Sequence, residues 1–187
     1  MTTIHPDLAR IIVSESDIHF RVREIARQLA QDYAGVERLY LVGVLKGAFI
    51  FLADLARALS QVEGAPPHIV DFIAVSSYGH TATSGAVRLV MDLREPVVDE
   101  HVILVEDIVD SGQTVTYLMQ LLKGRGPASL RSCALVRKNL PARDEVPVDY
   151  LGFTIPDVWV VGYGLDYAEA HRTLPYIAEL KREVYSG

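Results

Sequence analysis

The sequence predicts an α/β fold with a central parallel sheet flanked by helices. Val102-Ile103-Leu104-Val105 is a short, unbroken β-branched and aliphatic run, the pattern of a strand buried on both faces. Behind it, Val115, Leu118, Met119 and Leu122 recur at helical spacing. A second apolar run over 38–45 is likewise followed by helical spacing, over 49–60.

The remaining elements follow in order. Ile18, Val22, Ile25 and Leu29 form one apolar face of a helix over 14–32, with Ser14 or Ser16 as N-cap and Gly35 at its end. After the second helix, residues 64–67 make a turn and 68–76 a strand. Residues 80–86 are small, polar and aperiodic, either a plain connection or a lid, and 87–93 is the returning strand. Gly124, Gly126 and Pro127 end the third helix. A core strand over 130–136 leads to Arg137-Lys138-Asn139 on the ligand side of the sheet, then a polar linker over 141–147 and a short strand over 150–153.

Composition excludes several functions. With half of its 187 residues apolar, the chain can bury a full core and reads as one domain. The stretch 1–10 has no apolar signal-peptide core, and Lys46 and Asp54 interrupt the longest apolar region, so neither secretion nor a membrane span is expected. The lone Cys133 lies in a core strand and fits a reducing cytoplasm. A net charge of −6 argues against a nucleic-acid partner. The six histidines show no ligand spacing, which argues against zinc.

The chemistry gathers behind 102–105. Glu106 and Asp107 follow the strand at the edge where open α/β sheets bind ligands. Asp110-Ser111-Gly112-Gln113-Thr114 then enters a helix, and such a loop can point several N–H groups at one phosphate. One turn thus offers carboxylates for a cation beside a cradle for an anion. Lys46 opposes the dipole of the helix it precedes, which is unfavourable unless an anion binds there, and Gly47 allows a ligand close to the backbone.

An apolar strand, two acidic residues, two apolar residues and Asp-Ser-Gly-x-Thr together resemble the signature of the type I phosphoribosyltransferases, which bind 5-phosphoribosyl-1-pyrophosphate (PRPP). Ile155-Pro156-Asp157, Trp159, Val160-Val161-Gly162-Tyr163 and Asp166-Tyr167 resemble the 6-oxopurine branch, which uses hypoxanthine and guanine. The resemblance spans nearly the whole chain. It implies the type I phosphoribosyltransferase fold, with a small hood over the carboxyl edge built from the C-terminal segment and part of the N-terminus.

The resemblance also implies roles. Asp110, Ser111, Gly112, Gln113 and Thr114 hold the 5′-phosphate of PRPP. Glu106 and Asp107 face the ribose hydroxyls directly or through Mg²⁺, and Asp166 binds a second Mg²⁺ through water. Lys46, Gly47 and Arg172 hold pyrophosphate, while Ser77 and Tyr78 close over it. The purine lies on Trp159, with Val160 and Asp166 beside it and Lys138 donating to the 6-oxo group. Asp110 takes the proton from N7. The neighbouring Arg137 is the alternative to Lys138. A homodimer or homotetramer is expected from the family alone.

Other readings are a PRPP-sensing regulator of the same fold, a xanthine-preferring enzyme and a pyrimidine phosphoribosyltransferase. The regulator would need a nucleic-acid surface, and the pyrimidine enzyme would lack the Ile-Pro-Asp segment. Hypoxanthine and guanine are not ranked by the sequence, nor is a cis peptide located at Leu45-Lys46-Gly47.

Overall fold

A computed structural model describes residues 4–77, 87–140 and 146–186. The main sheet has the order β4-β3-β2-β5-β6-β7. Its strands are β2 (Leu39–Leu45), β3 (His68–Ser77), β4 (Val87–Met91), β5 (His101–Val109), β6 (Ser129–Lys138) and β7 (Tyr150–Ile155). All neighbours run parallel except the edge strand β4, which is antiparallel to β3. Helices α1 (Glu15–Asp32), α2 (Phe49–Leu59) and α3 (Gln113–Lys123) cover the sheet.

Alternation along each strand sorts the core into two layers. Leu39 and Leu41 of β2, with Ile103 and Val105 of β5, pack with Ile25, Leu29, Phe51 and Leu55 of α1 and α2. Tyr40, Val42 and Val44, with Val102 and Leu104, pack with Leu118 and Leu122 of α3. Each large aliphatic side chain fully buried this way is worth about 1.5–3 kcal/mol relative to exposure. The unbroken apolar runs are therefore required, because both faces of these strands are dry.

Ser14 caps α1, accepting the Asp17 N–H at 3.2 Å, which resolves the choice between Ser14 and Ser16. A second sheet of order β1-β9-β8 joins β1 (Leu8–Val13), β8 (Val160–Val161) and β9 (Ile177–Leu180). This is the hood, and β1 and β9 within it carry no clear sequence signal. A short helix, α4 (Arg182–Tyr185), follows β9. Among the described residues no helix is long and apolar enough to cross a membrane.

One sequence expectation changes where it bears on the site. The strand expected over 102–105 runs from His101 to Val109, so Glu106 and Asp107 lie within β5 rather than after it. Glu106 pairs with Ala134 and Ile108 with Val136, and this continued ladder holds the carboxylates on a rigid element. Tyr78, the lid candidate over 80–86 and most of the 141–147 linker lie outside the described residues.

Candidate active site

The carboxyl ends of β2, β5 and β6 meet the hood along one rim. On β5 the alternation that sorts the core also separates the two carboxylates. Glu106 shares a face with Val102 and Leu104, toward α3, and Asp107 shares the opposite face with Ile103 and Val105. Both nonetheless border the cavity at the start of α3, and Asp107 alone of the two also borders the one facing the hood.

On the Glu106 side, a cavity of about 190 Å³ is lined by Glu106, Asp110, Ser111, Gly112 and Thr114 among others. Gly112 sits at φ +77° directly before α3, a conformation that favours glycine, and a Cβ there would collide with Val146. The first N–H groups of α3 open here, where the helix dipole favours an anion. Gln113 begins the helix but is exposed and does not line the cavity.

On the Asp107 side, a cavity of about 240 Å³ separates the rim from the hood. It is lined by Asp107, Ile108, Asp110, Lys138, Trp159, Val160, Leu165 and Asp166. Asp107, Ile108 and Asp110 border both cavities. A larger groove of about 640 Å³, between α1 and the end of α2, contains no strand residue in its lining and none of these groups.

Backbone proximity fixes the rim. The Leu45–Lys46 peptide is cis. A Cβ on Gly47 would collide with the Asp107 carboxylate, and one on Gly164 would collide with the Gly47 carbonyl. The β2 loop, the end of β5 and the hood thus touch through two glycines that no other residue could replace without movement.

Burial sets the electrostatics. Glu106 is nearly inaccessible, and desolvation, reinforced by Asp107, holds its carboxyl well above the ordinary range. Desolvation likewise raises Asp107 to about 6, opposed by the Ile108 N–H at 2.9 Å and by Arg172. Two buried, adjoining carboxyls resist ionising together unless a cation compensates them. Their hard oxygen donors fit Mg²⁺, which needs few protein ligands. Glu106, Asp107 and Asp166 do not converge on a single point among the described residues, so one ion held by all three is not what the geometry offers.

The cations are already paired. Lys138, with only 14% of its side chain exposed, lies 3.4 Å from Asp110 and 3.2 Å from Asp157. It lines the cavity between rim and hood, whereas Arg137 does not. Lys46 reaches Glu169 at 2.9 Å. Arg172 donates to the Gly164 carbonyl at 2.8 Å and pairs with Asp166 at 2.7 Å and Glu169 at 3.3 Å. Glu169, held below the usual carboxylate range chiefly by Lys46, therefore bridges both cations expected to hold pyrophosphate. Ser77 ends β3.

The phosphoribosyl transferase domain family matches residues 11–168. This chain belongs to that family. It is 47% identical to a hypoxanthine-guanine phosphoribosyltransferase of Dictyostelium discoideum over 94% of this chain and 97% of that one. Against the hypoxanthine-guanine phosphoribosyltransferase of Streptococcus pneumoniae the identity is 42%, over 97% and 98%. The solved hypoxanthine phosphoribosyltransferase of Trypanosoma cruzi, in complex with the product IMP, superposes with a TM-score of 0.89 at 41% identity, covering 98% of this chain and all of that one.

For this phosphoribosyltransferase, sequence reasoning missed Asp157, Glu169 and Tyr185. Asp157 was visible inside the Ile-Pro-Asp signature, but its contact with Lys138 needs the fold. Glu169 has no local signal. Tyr185 stacks on Trp159, with ring centroids 5.3 Å apart, because the chain returns through β9.

The raised Asp107 carries a pH consequence. A carboxyl whose folded-state pKa exceeds its unfolded value stabilises the protein at low pH and loses that contribution as pH rises through about 6. Asp107→Asn removes the titration and keeps an oxygen for the Ile108 N–H. In ligand-free, metal-free protein, the variant is expected to gain stability over the parent by about 2 kcal/mol between pH 4 and pH 8. Urea unfolding at the two pH values measures this, and an equal difference at both would show that Asp107 does not titrate in that window.

Proposed function

We propose that this protein transfers the 5-phosphoribosyl group of PRPP to N9 of hypoxanthine or guanine, giving IMP or GMP and pyrophosphate. The observation that carries this reading is the pair of cavities sharing Asp110: an anion cradle at the start of α3 on one side, and a slot between Trp159 and Lys138 on the other.

The cradle orients the ribose. N–H groups of the Ser111–Thr114 turn and their hydroxyls bind the 5′-phosphate, setting C1′ toward the second cavity. Glu106 and Asp107 lie where the ribose hydroxyls and a Mg²⁺ would sit, with Asp166 toward a second ion. Bound Mg²⁺ supplies charge neutralisation of the diphosphate leaving group. Carboxylates nearby also favour the cationic ribose of the transition state.

The base enters between rim and hood. Trp159 offers a ring face, Val160 backbone hydrogen bonds, and Lys138 a donor to the 6-oxo group. Asp110 accepts the N7 proton as N9 bonds to C1′ and the pyrophosphate oxygen departs with its electron pair. Lys46, Gly47 and Arg172 receive that diphosphate, which displaces Glu169 from both cations. The Glu169 carboxylate acts as an internal stand-in for the anion.

Pyrophosphate release measured over a panel of purines and pyrimidines, with and without Mg²⁺, tests the reading. Turnover of hypoxanthine or guanine is expected, and a PRPP-binding protein with no turnover on any base would overturn it. Asp110→Asn is expected to keep PRPP binding and lower kcat by about 10²–10⁴-fold, the usual worth of a general base. Collapse of PRPP binding at unchanged kcat would make Asp110 a phosphate-loop residue instead. Glu169→Gln removes the competing internal anion and is expected to lower KM for PRPP severalfold, read from initial rates at saturating base. An unchanged or raised KM would mean Glu169 organises the cations rather than blocking them.

Lys138 governs base choice. A desolvated ammonium only donates, whereas adenine presents a donating amino group at position 6, leaving donor against donor. Sites of this kind reject the wrong partner by about 10⁴-fold or more. Adenine is therefore expected to be a very poor substrate. Lys138→Gln should relax that barrier and weaken hypoxanthine, because a glutamine amide can offer either polarity. Relaxation on changing Arg137 alone would transfer the role to it.

A further inference from the structure

Outside the active site, the described residues bring three metal-ligating side chains to one point: His5, Asp7 and His171, whose ligand atoms all lie within 4.8 Å of one another. His5 and Asp7 precede β1, and His171 lies in the hood loop between β8 and β9. The pairing of β1 with β9 and the Lys181 N–H bond to the Asp7 carbonyl at 2.9 Å bring these distant stretches together.

The two separations from Asp7 match those in a coordination polyhedron. The Asp7 Oδ2 atom lies 3.5 Å from His5 Nδ1 and 3.3 Å from His171 Nε2. Charge-assisted hydrogen bonds are shorter, about 2.7–2.9 Å. A tetrahedral ion with bonds of about 2.0–2.1 Å instead sets its ligand atoms roughly 3.3–3.4 Å apart. The two imidazoles meet edge to face with centroids 4.9 Å apart, so that neither ring covers the other. The His5 Nδ1 lone pair is engaged only by the Asp7 N–H at 3.3 Å, a weak contact that an ion would replace. His171 is mostly enclosed, its backbone stands at φ +69°, a conformation uncommon for a residue with a side chain, and its ring reaches Asp7 of the N-terminal segment.

We propose that His5, Asp7 and His171 form a binding site for a divalent transition metal of the zinc class, with water completing the coordination. Two imidazole nitrogens and one carboxylate suit Zn²⁺, Co²⁺ or Ni²⁺, whereas Mg²⁺ prefers the all-oxygen carboxylates of the rim. Bound metal ties the N-terminal segment to the loop carrying Arg172, next in sequence to His171, and so braces the hood from outside the reaction.

Co²⁺ titration of the tag-free full chain in excess Mg²⁺ tests this. One equivalent is expected to bind with visible absorption bands of a nitrogen-containing, low-coordinate site. Zn²⁺ should displace it and raise the thermal midpoint. His5→Ala, which alters no helix or strand, and His171→Gln are each expected to weaken binding by about 10-fold or more, since each removes one of three protein ligands. Failure of the wild-type chain to bind a single equivalent, displacement by millimolar Mg²⁺, or unchanged affinity in His5→Ala would overturn the site and leave an ion-pair cluster. Should His171→Gln fold poorly, His5→Ala and Asp7→Asn decide alone.

Discussion

The desolvation of two adjacent carboxyls on one rigid strand is the constraint from which the site follows. β5 is buried from Val102 to Glu106 between its sheet neighbours and the two helical layers, and its ladder with β6 continues past Glu106 and Asp107. A strand so placed cannot turn both side chains the same way. Glu106 therefore opens on the α3 side alone, whereas Asp107 borders the cavities on both sides. The same burial that makes these groups reluctant to ionise makes them receptive to cationic character in a ligand or transition state.

The surroundings of β5 are equally constrained by space. Gly47 leaves room for Asp107, Gly164 leaves room for the Gly47 carbonyl, and Gly112 leaves room for Val146. The Gly164–Gly47 approach is backbone to backbone, and the other two glycines admit a neighbour's side chain against their own backbone. Charge then completes what sterics begin. Lys46, Arg172 and Lys138 each rest on a carboxylate, so the ligand-free site is an internally neutralised network that exchanges partners rather than a set of bare cations.

The sequence made legible whatever depends on local periodicity. The runs at 38–45 and 102–105, the helical faces of α1 and α3, and the Asp110–Thr114 turn all reappear with small boundary shifts. β1, β8 and β9 were poorly legible because a hood strand is short and half covered. β8 has two residues, too few for any alternation to register. The proximity of His5 and His171 was hidden for a related reason. Ligand spacing in sequence finds sites built on one helix or loop, and His5 and His171 are joined only by the pairing of strands from the two ends of the chain. Glu169 and the Asp157–Lys138 contact stayed silent because a surface carboxylate does not announce its cation partner in sequence.

Trp159 is the only tryptophan in the chain, and it stands on the wall of the cavity between rim and hood, 45% exposed. Tyr185 of the terminal helix is stacked against it, and Tyr167 meets it edge-on. The indole is thus held in a tyrosine bracket with part of its surface open to solvent. All tryptophan emission from this protein originates at that one place, without background from the core. The wall of the slot doubles as an optical probe, sensitive to whatever covers the indole and to any loosening of the chain's last turn behind it.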